Sequence, residues 1–172
     1  SAGGAQAPQG ANRPRSRTKV APHACRIRLC GAPGPTPASV EPCTQPYQAS
    51  VFNISAMSFG ALSANAIMAL NKGAKLGGFA HDTGEGSISR YHREHEGDLV
   101  WEIGSGYFGC RIADGTFNEI MYVQNACLPQ VKMIEIKISQ GAKPGHGGVL
   151  PGAKVSLEIA EARGVPVGVA CI

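Results

Sequence analysis

The most unusual stretch of the sequence is QGAKPGHGG, residues 140–148, which follows directly on the alternating run VKMIEIKIS. Its four glycines let backbone N–H groups approach an anion, and Lys143 adds a point charge. It is not a Walker loop, because no Gly-Lys-Ser/Thr triplet occurs. Lys137 and Gln140 project from the same strand end, which favours a functional loop over a merely structural Gly/Pro turn. A second glycine-bracketed loop, DTGEG, carries Glu85. A carboxylate there either orients an amine or a water, or pairs with Lys143 or Lys137.

Two further patterns are weaker. GSGYFG, residues 104–109, matches G-x-G-x-x-G, but CRIADG follows where a helix should start, and Gln130 lies near the place of the expected acid. A nucleotide fingerprint is therefore disfavoured. YHREHE sets His92 and His95 three apart, with Glu94 and Glu96 beside them. On a helix the two histidines could share a face and bind a metal. The order fits neither H-E-x-x-H nor H-x-x-E-H and no third ligand is evident, so a solvated charged turn is expected and no metal ligand is assigned.

The elements that must position these residues alternate along the chain. VFNISAMSF reads as a buried strand. Ser63 caps a helix over ANAIMALNKGAKL, with Ile67, Leu70, Ala74 and Met68 at helical spacing, and Gly77-Gly78 ends it. FAHDTG and DLVWEIG read as strands, and FNEIMYVQNA as a helix with Phe117, Ile120, Met121 and Gln124 on one side. VKMIEIKIS alternates, placing Met133, Glu135 and Lys137 on one parity and Ile134, Ile136 and Ile138 on the other. KVSLEIAEARG reads as a helix stopped by Gly164, and VPVGVACI as a last strand. Strand, loop, helix, strand is the grammar of an α/β protein with a parallel sheet. In such folds ligands gather where glycine-rich loops leave the C-terminal ends of the strands.

Composition limits the alternatives. Of 172 residues, 16 are Lys or Arg and 12 are Asp or Glu, a formal charge of +4. Arg13, Arg15, Arg17, Lys19, Arg26 and Arg28 lie in residues 1–40 with no acid, so the remainder is near neutral. A nucleic-acid face on the folded part is not expected. No apolar run is long enough to span a membrane. Residues 1–42 hold seven of the twelve prolines and no aromatic residue, and read as a disordered leader. Cys25, Cys30, Cys43, Cys110, Cys127 and Cys171 form no C-x-x-C pair, and are expected to be reduced thiols in a cytoplasmic protein.

The blocks CTQPYQASVFNISAMSFGALSANAI, GGFAHDTGEGSISRYHREHEGDLVWEIGSGYFGCR and MIEIKISQGAKPGHGGVLPGAKV together resemble the FMN-binding domain of the glutamate synthase family. They are most similar to its single-domain, FMN-binding members. The resemblance runs from about Cys43 to Ile172, whereas residues 1–42 share nothing with it. It implies an α/β fold, the N-terminal portion of a (β/α)8 barrel with flavin at its C-terminal face, so that residues 43–172 are part of an FMN-binding domain. The implied activity is that of an oxidoreductase acting on CH–NH2 donors. 2-Oxoglutarate and ammonia, free or glutamine-derived, form 2-iminoglutarate, which reduced FMN converts to L-glutamate; the electron donor is left open.

By the same resemblance, the backbone around Ala56, Met57 and Ser58 passes along the flavin ring. Thr83 and Glu85 line the substrate side, with Glu85 near the ammonia or imine nitrogen. Lys137 and Gln140 face flavin and 2-oxoglutarate, and Lys143 supplies charge to a carboxylate or to the reduced flavin. The large enzymes read G-A-K-P-G-E-G-G where this chain has His146. The later strands, with their FMN-phosphate loops and the cysteine ligands of an iron–sulfur cluster, have no counterpart among these residues. A half-barrel of this kind is expected to self-associate through its open sheet edge, and the alternative reading is a non-catalytic half-barrel module or a truncated gene product without activity of its own.

Overall fold

The computed structural model describes residues 47–138 and 148–171. The expected leader, Gln140, Lys143, His146 and three of the cysteines (Cys25, Cys30 and Cys43) lie outside the described residues.

Helix α1, Ala64–Gly77, starts where Ser63 Oγ accepts the Ala66 N–H at 3.3 Å and stops at Gly78, whose φ of 65° is the left-handed region. Its buried stripe is Ile67, Asn71 and Ala74; Leu70 is only half-buried. Asn71 earns its place inside by accepting the Gly97 N–H at 3.0 Å, which anchors the chain just before it enters β2.

Three parallel strands follow, β1 His81–Asp82, β2 Leu99–Ile103 and β3 Val131–Ile136, in the order β1-β2-β3. Register runs His81 to Leu99, then Leu99 to Val131, with a shift at Leu99/Val100 that sets Val100 opposite Met133. Between them lie α2, Arg90–Arg93, and α3, Glu119–Ala126; α4, Leu157–Arg163, comes last. Parallel neighbours joined by helical crossovers are what the alternating pattern predicts.

Side chains alternate across the strands. On one face Trp101, Ile103 and Ile134 pack with Tyr122 and Ala126 of α3. The expected apolar side of α3 is thus corrected. Ile120 is 71% exposed and Phe117 45%, because the helix meets the sheet through Tyr122, one position round. A second core joins Phe59, Ile67, Phe108, Val155, Ile159 and Cys171 beneath α1 and α4.

Two expected strands are not regular strands. In residues 51–59, Ile54 makes a parallel bridge to His81, with Ile54 N–H donating to the Ala80 carbonyl at 2.9 Å. Val51 and Phe52 are exposed, and the chain turns away at Phe59–Leu62. Near the C-terminus, residues 165–171 bend at Gly168, where φ is 74°. They keep one antiparallel bridge, Cys171 to Leu150.

Candidate functional site

The C-terminal ends of the three strands lie along one edge of the sheet. The loop leaving β1 carries Glu85, the loop leaving β2 begins at Gly104, and Lys137 directly follows β3, its N–H donating to the Ile103 carbonyl at 2.9 Å. Lys137 Nζ lies 3.3 Å from Glu85 Oε2 and 3.6 Å from Glu102 Oε1. Of the alternatives open for Glu85, pairing with Lys137 is realised. Gly104 makes room for it, since a Cβ there would lie 2.5 Å from Glu85 Oε2. The G-x-G-x-x-G stretch therefore serves as packing space. No helix starts in it, and Tyr107 and Gly109 adopt positive φ.

Below this ion triad, the sheet face opposite Trp101 lines a pocket of about 430 Å³, whose wall includes Asn53, Ala56, Val100 and Met133. Asp82, Glu102 and Glu135 converge there, with carboxylate oxygens within 4.8 Å of one another. Burial pushes the Asp82 carboxyl up to about 7, against the pull of the Gly84 N–H and with added repulsion from Glu102 and Glu135. Burial also raises Glu102, while Lys137 opposes the rise.

Ala56 lies on the pocket wall. Met57 and Ser58 lead from it towards the turn at Gly60 and Ala61, and Met57 is held from two sides: Met57 N–H donates to the Asp82 carbonyl at 3.1 Å, and Met57 O lies 3.0 Å from His92 Nε2. Ser58 packs so closely on Gly84 that a Cβ there would lie 2.8 Å from Ser58 N, at a φ of +65°. Thr83 is fully buried. Its Oγ1 accepts the Glu102 N–H at 3.2 Å and donates to the Gly84 carbonyl at 3.0 Å, tying β1 to β2 at the triad.

His92 corrects the expectation of a solvated turn. It is fully buried. Ser89 caps α2, with Ser89 Oγ 2.8 Å from His92 Nδ1. A carbonyl can only accept, so Nε2 carries the proton to Met57 and Nδ1 accepts from Ser89. Burial pushes the ring down to about 4, keeping it neutral. His95 is half-buried and joins no cluster of metal ligands among the described residues.

Sequence reasoning missed Asp82, Glu102, Glu135, His92 and Arg163. The alternation of VKMIEIKIS did put Glu135 on the Lys137 side. Arg163 is buried, donates to the Phe59 carbonyl at 3.3 Å, stacks on Phe108 and touches the Gly86 backbone position. Among the described residues no carboxylate pairs with it. It holds the SAMSFG and DTGEG loops against each other.

A family model for a conserved region in glutamate synthase matches residues 16–172, starting ahead of Cys43. The chain belongs to the glutamate synthase family. A glutamate synthase large subunit-like protein, YerD, from Bacillus subtilis (strain 168) is 41% identical over 128 residues, 73% of this chain and 24% of its own length. An archaeal-type glutamate synthase (NADPH) from Thermotoga sp. (strain RQ2) is 41% identical over 113 residues, covering 66% and 20%. The archaeal glutamate synthase (NADPH) of Methanocaldococcus jannaschii is 39% identical over 115 residues, covering 67% and 20%. The chain thus spans about a fifth to a quarter of the length of these glutamate synthase relatives. No helix among the described residues is long and apolar enough to cross a membrane.

Proposed function

We propose that this chain is the N-terminal portion of a (β/α)8 barrel in an FMN-dependent, glutamate synthase-type oxidoreductase that aminates 2-oxoglutarate to L-glutamate. The observation that carries the reading is the Glu85–Lys137–Glu102 triad at the C-terminal ends of parallel strands, in a chain of this family. Active sites of such barrels are built at that end.

The residues present fit the polar edge of a flavin ring. Lys137 is a partly exposed cation just beyond the C-terminal end of β3, and Ala56 offers a small side chain on the pocket wall. Ala56, Met57 and Ser58 would hold the ring side, with Gln140 and Lys143 completing the contacts; Thr83, fully buried, would act only by fixing the Glu102 and Gly84 backbones. When bound, FMN supplies the hydride that reduces the imine carbon. Glu85 orients the ammonia or imine nitrogen through its carboxylate. Lys137 faces developing negative charge on the substrate or the ring. The His92 Nε2–H donates to the Met57 carbonyl and fixes its direction.

An iron–sulfur cluster does not fit the described cysteines. Cys110, Cys127 and Cys171 are unlinked thiols and do not converge into a group of metal ligands among the described residues.

Exposure at β3 favours a second reading, a non-catalytic half-barrel that self-associates. Ile136, which ends the strand, is 70% exposed, and Ile138 just beyond it is 94% exposed. FMN uptake separates the two. A protein in which residues 43–172 replace the matching segment of the Bacillus relative is expected to take up FMN stoichiometrically and show yellow absorbance bands. A soluble, folded and colourless protein would sink the flavoenzyme reading.

A further inference from the structure

Lys137 stands between two carboxylates. Glu85 reaches it from the loop after β1, and Glu102 reaches it from the middle of the sheet, on the neighbouring strand. Their settings differ. The Glu85 side chain keeps 20% of its surface in solvent and Glu102 keeps 4%. Glu102 Oε1 is buried and makes no hydrogen bond, so Lys137 is its only described cation and its main compensation for desolvation. The other charged groups facing it, Asp82 and Glu135, are acids. The Glu102 backbone is itself pinned by Thr83 Oγ1 at 3.2 Å. A carboxylate so fixed restricts where the four-carbon lysine stem can place its ammonium.

We propose that Glu102 is a positioning residue for Lys137, holding its ammonium from beneath so that it faces the site as a fixed cation shared with Glu85. This rests on the reading of Lys137 as the cation of the site, and it adds a residue that neither the loop motifs nor the resemblance pointed to. Glu102 acts through Lys137 and touches no reacting atom.

The test is the acylation rate of individual lysines by dilute acetic anhydride, mapped by mass spectrometry on the full chain. Lys132 of β3, 3.8 Å from Asp98 and comparable to Lys137 in side-chain exposure, is the internal reference. In the unaltered chain Lys137 is expected to react more slowly than Lys132. Glu102→Gln, which keeps the shape and removes the charge, should speed Lys137 acylation roughly five-fold, the scale of one lost ion pair, with Lys132 unchanged. Glu102→Asp should restore part of the protection.

Equal rates for Lys137 in the parent and Glu102→Gln, with acceleration only in Glu85→Gln, would overturn the proposal. So would equal acceleration of every lysine, which would mark a loosened fold. If Glu102→Gln does not fold, the parent comparison and Glu102→Asp decide: Lys137 reacting as fast as Lys132 in both contradicts it. Absence of FMN uptake would overturn the functional reading while leaving the labelling result standing.

Discussion

Asp82 sits at the floor of the pocket with its carboxyl raised to about 7 by burial, so the folded chain holds a proton there that the unfolded chain has released above its ordinary value of 3.8. Between about pH 4 and 7 the folded state therefore binds more protons at this position, and its contribution to stability falls as pH rises through that window. His81 and His92 act in the opposite sense. Burial lowers both to about 4, so between pH 4 and 6.5 the unfolded state binds the extra protons, and stability lost in acid returns as pH rises. Asp82→Asn removes the first effect and leaves the second. Its stability relative to the parent, from urea unfolding at pH 4.5, 6 and 8, is expected to improve steadily with pH. Parallel profiles would show that Asp82 is ionised in the folded state throughout. At this scale the sequence was half legible. Glu85 and Lys137 stood out because glycines and alternation framed them. Glu102 was hidden inside LVWEI, where an apolar run gives no parity until Trp101 shows which face meets a helix. His92 was hidden by its charged neighbours, although Ser89 three residues earlier is a capping signal that marks it.

Among the elements, the sequence marks best those with both a stripe and a stop. Helix α1 had a capping serine, apolar residues at helical spacing and a terminal glycine, and it forms with that cap and that glycine in place. The runs around residues 51–59 and 165–171 were apolar enough for strands, but composition alone does not tell a regular strand from an extended segment with a single bridge. What decides is the neighbour: among the described residues the bridges from these runs to a distant backbone are single ones, Ile54 to His81 and Cys171 to Leu150, with isolated bonds such as Met57 N–H to the Asp82 carbonyl beside them. The weight carried by α1 is open to measurement. Ile67 is fully buried in the cluster with Phe59 and Ile159, so Ile67→Ala is expected to cost about 2–5 kcal/mol in urea unfolding. A loss below about 1 kcal/mol would mean that α1 contributes little to the core.

For the whole molecule, the described architecture is a parallel sheet with helices against one face and a carboxylate-lined pocket on the other. Loops at the C-terminal strand ends carry its charged site. The parallel sheet and the placing of the loops followed from strand–helix alternation, since parallel strands require crossovers and crossovers gather the loops at one end; the carboxylate-lined pocket did not. The proposed barrel was not legible in the same way, because alternation sets the direction of the strands and not their number. Membership of the glutamate synthase family and the triad geometry meet in one measurement. In the protein carrying residues 43–172 in place of the Bacillus segment, glutamate formation from 2-oxoglutarate and ammonia with reduced FMN should be detectable. Lys137→Ala should lower kcat/KM by about tenfold or more, equivalent to about 1.4 kcal/mol of lost transition-state stabilisation. Glutamate formation unaffected by Lys137→Ala would contradict the account at its centre.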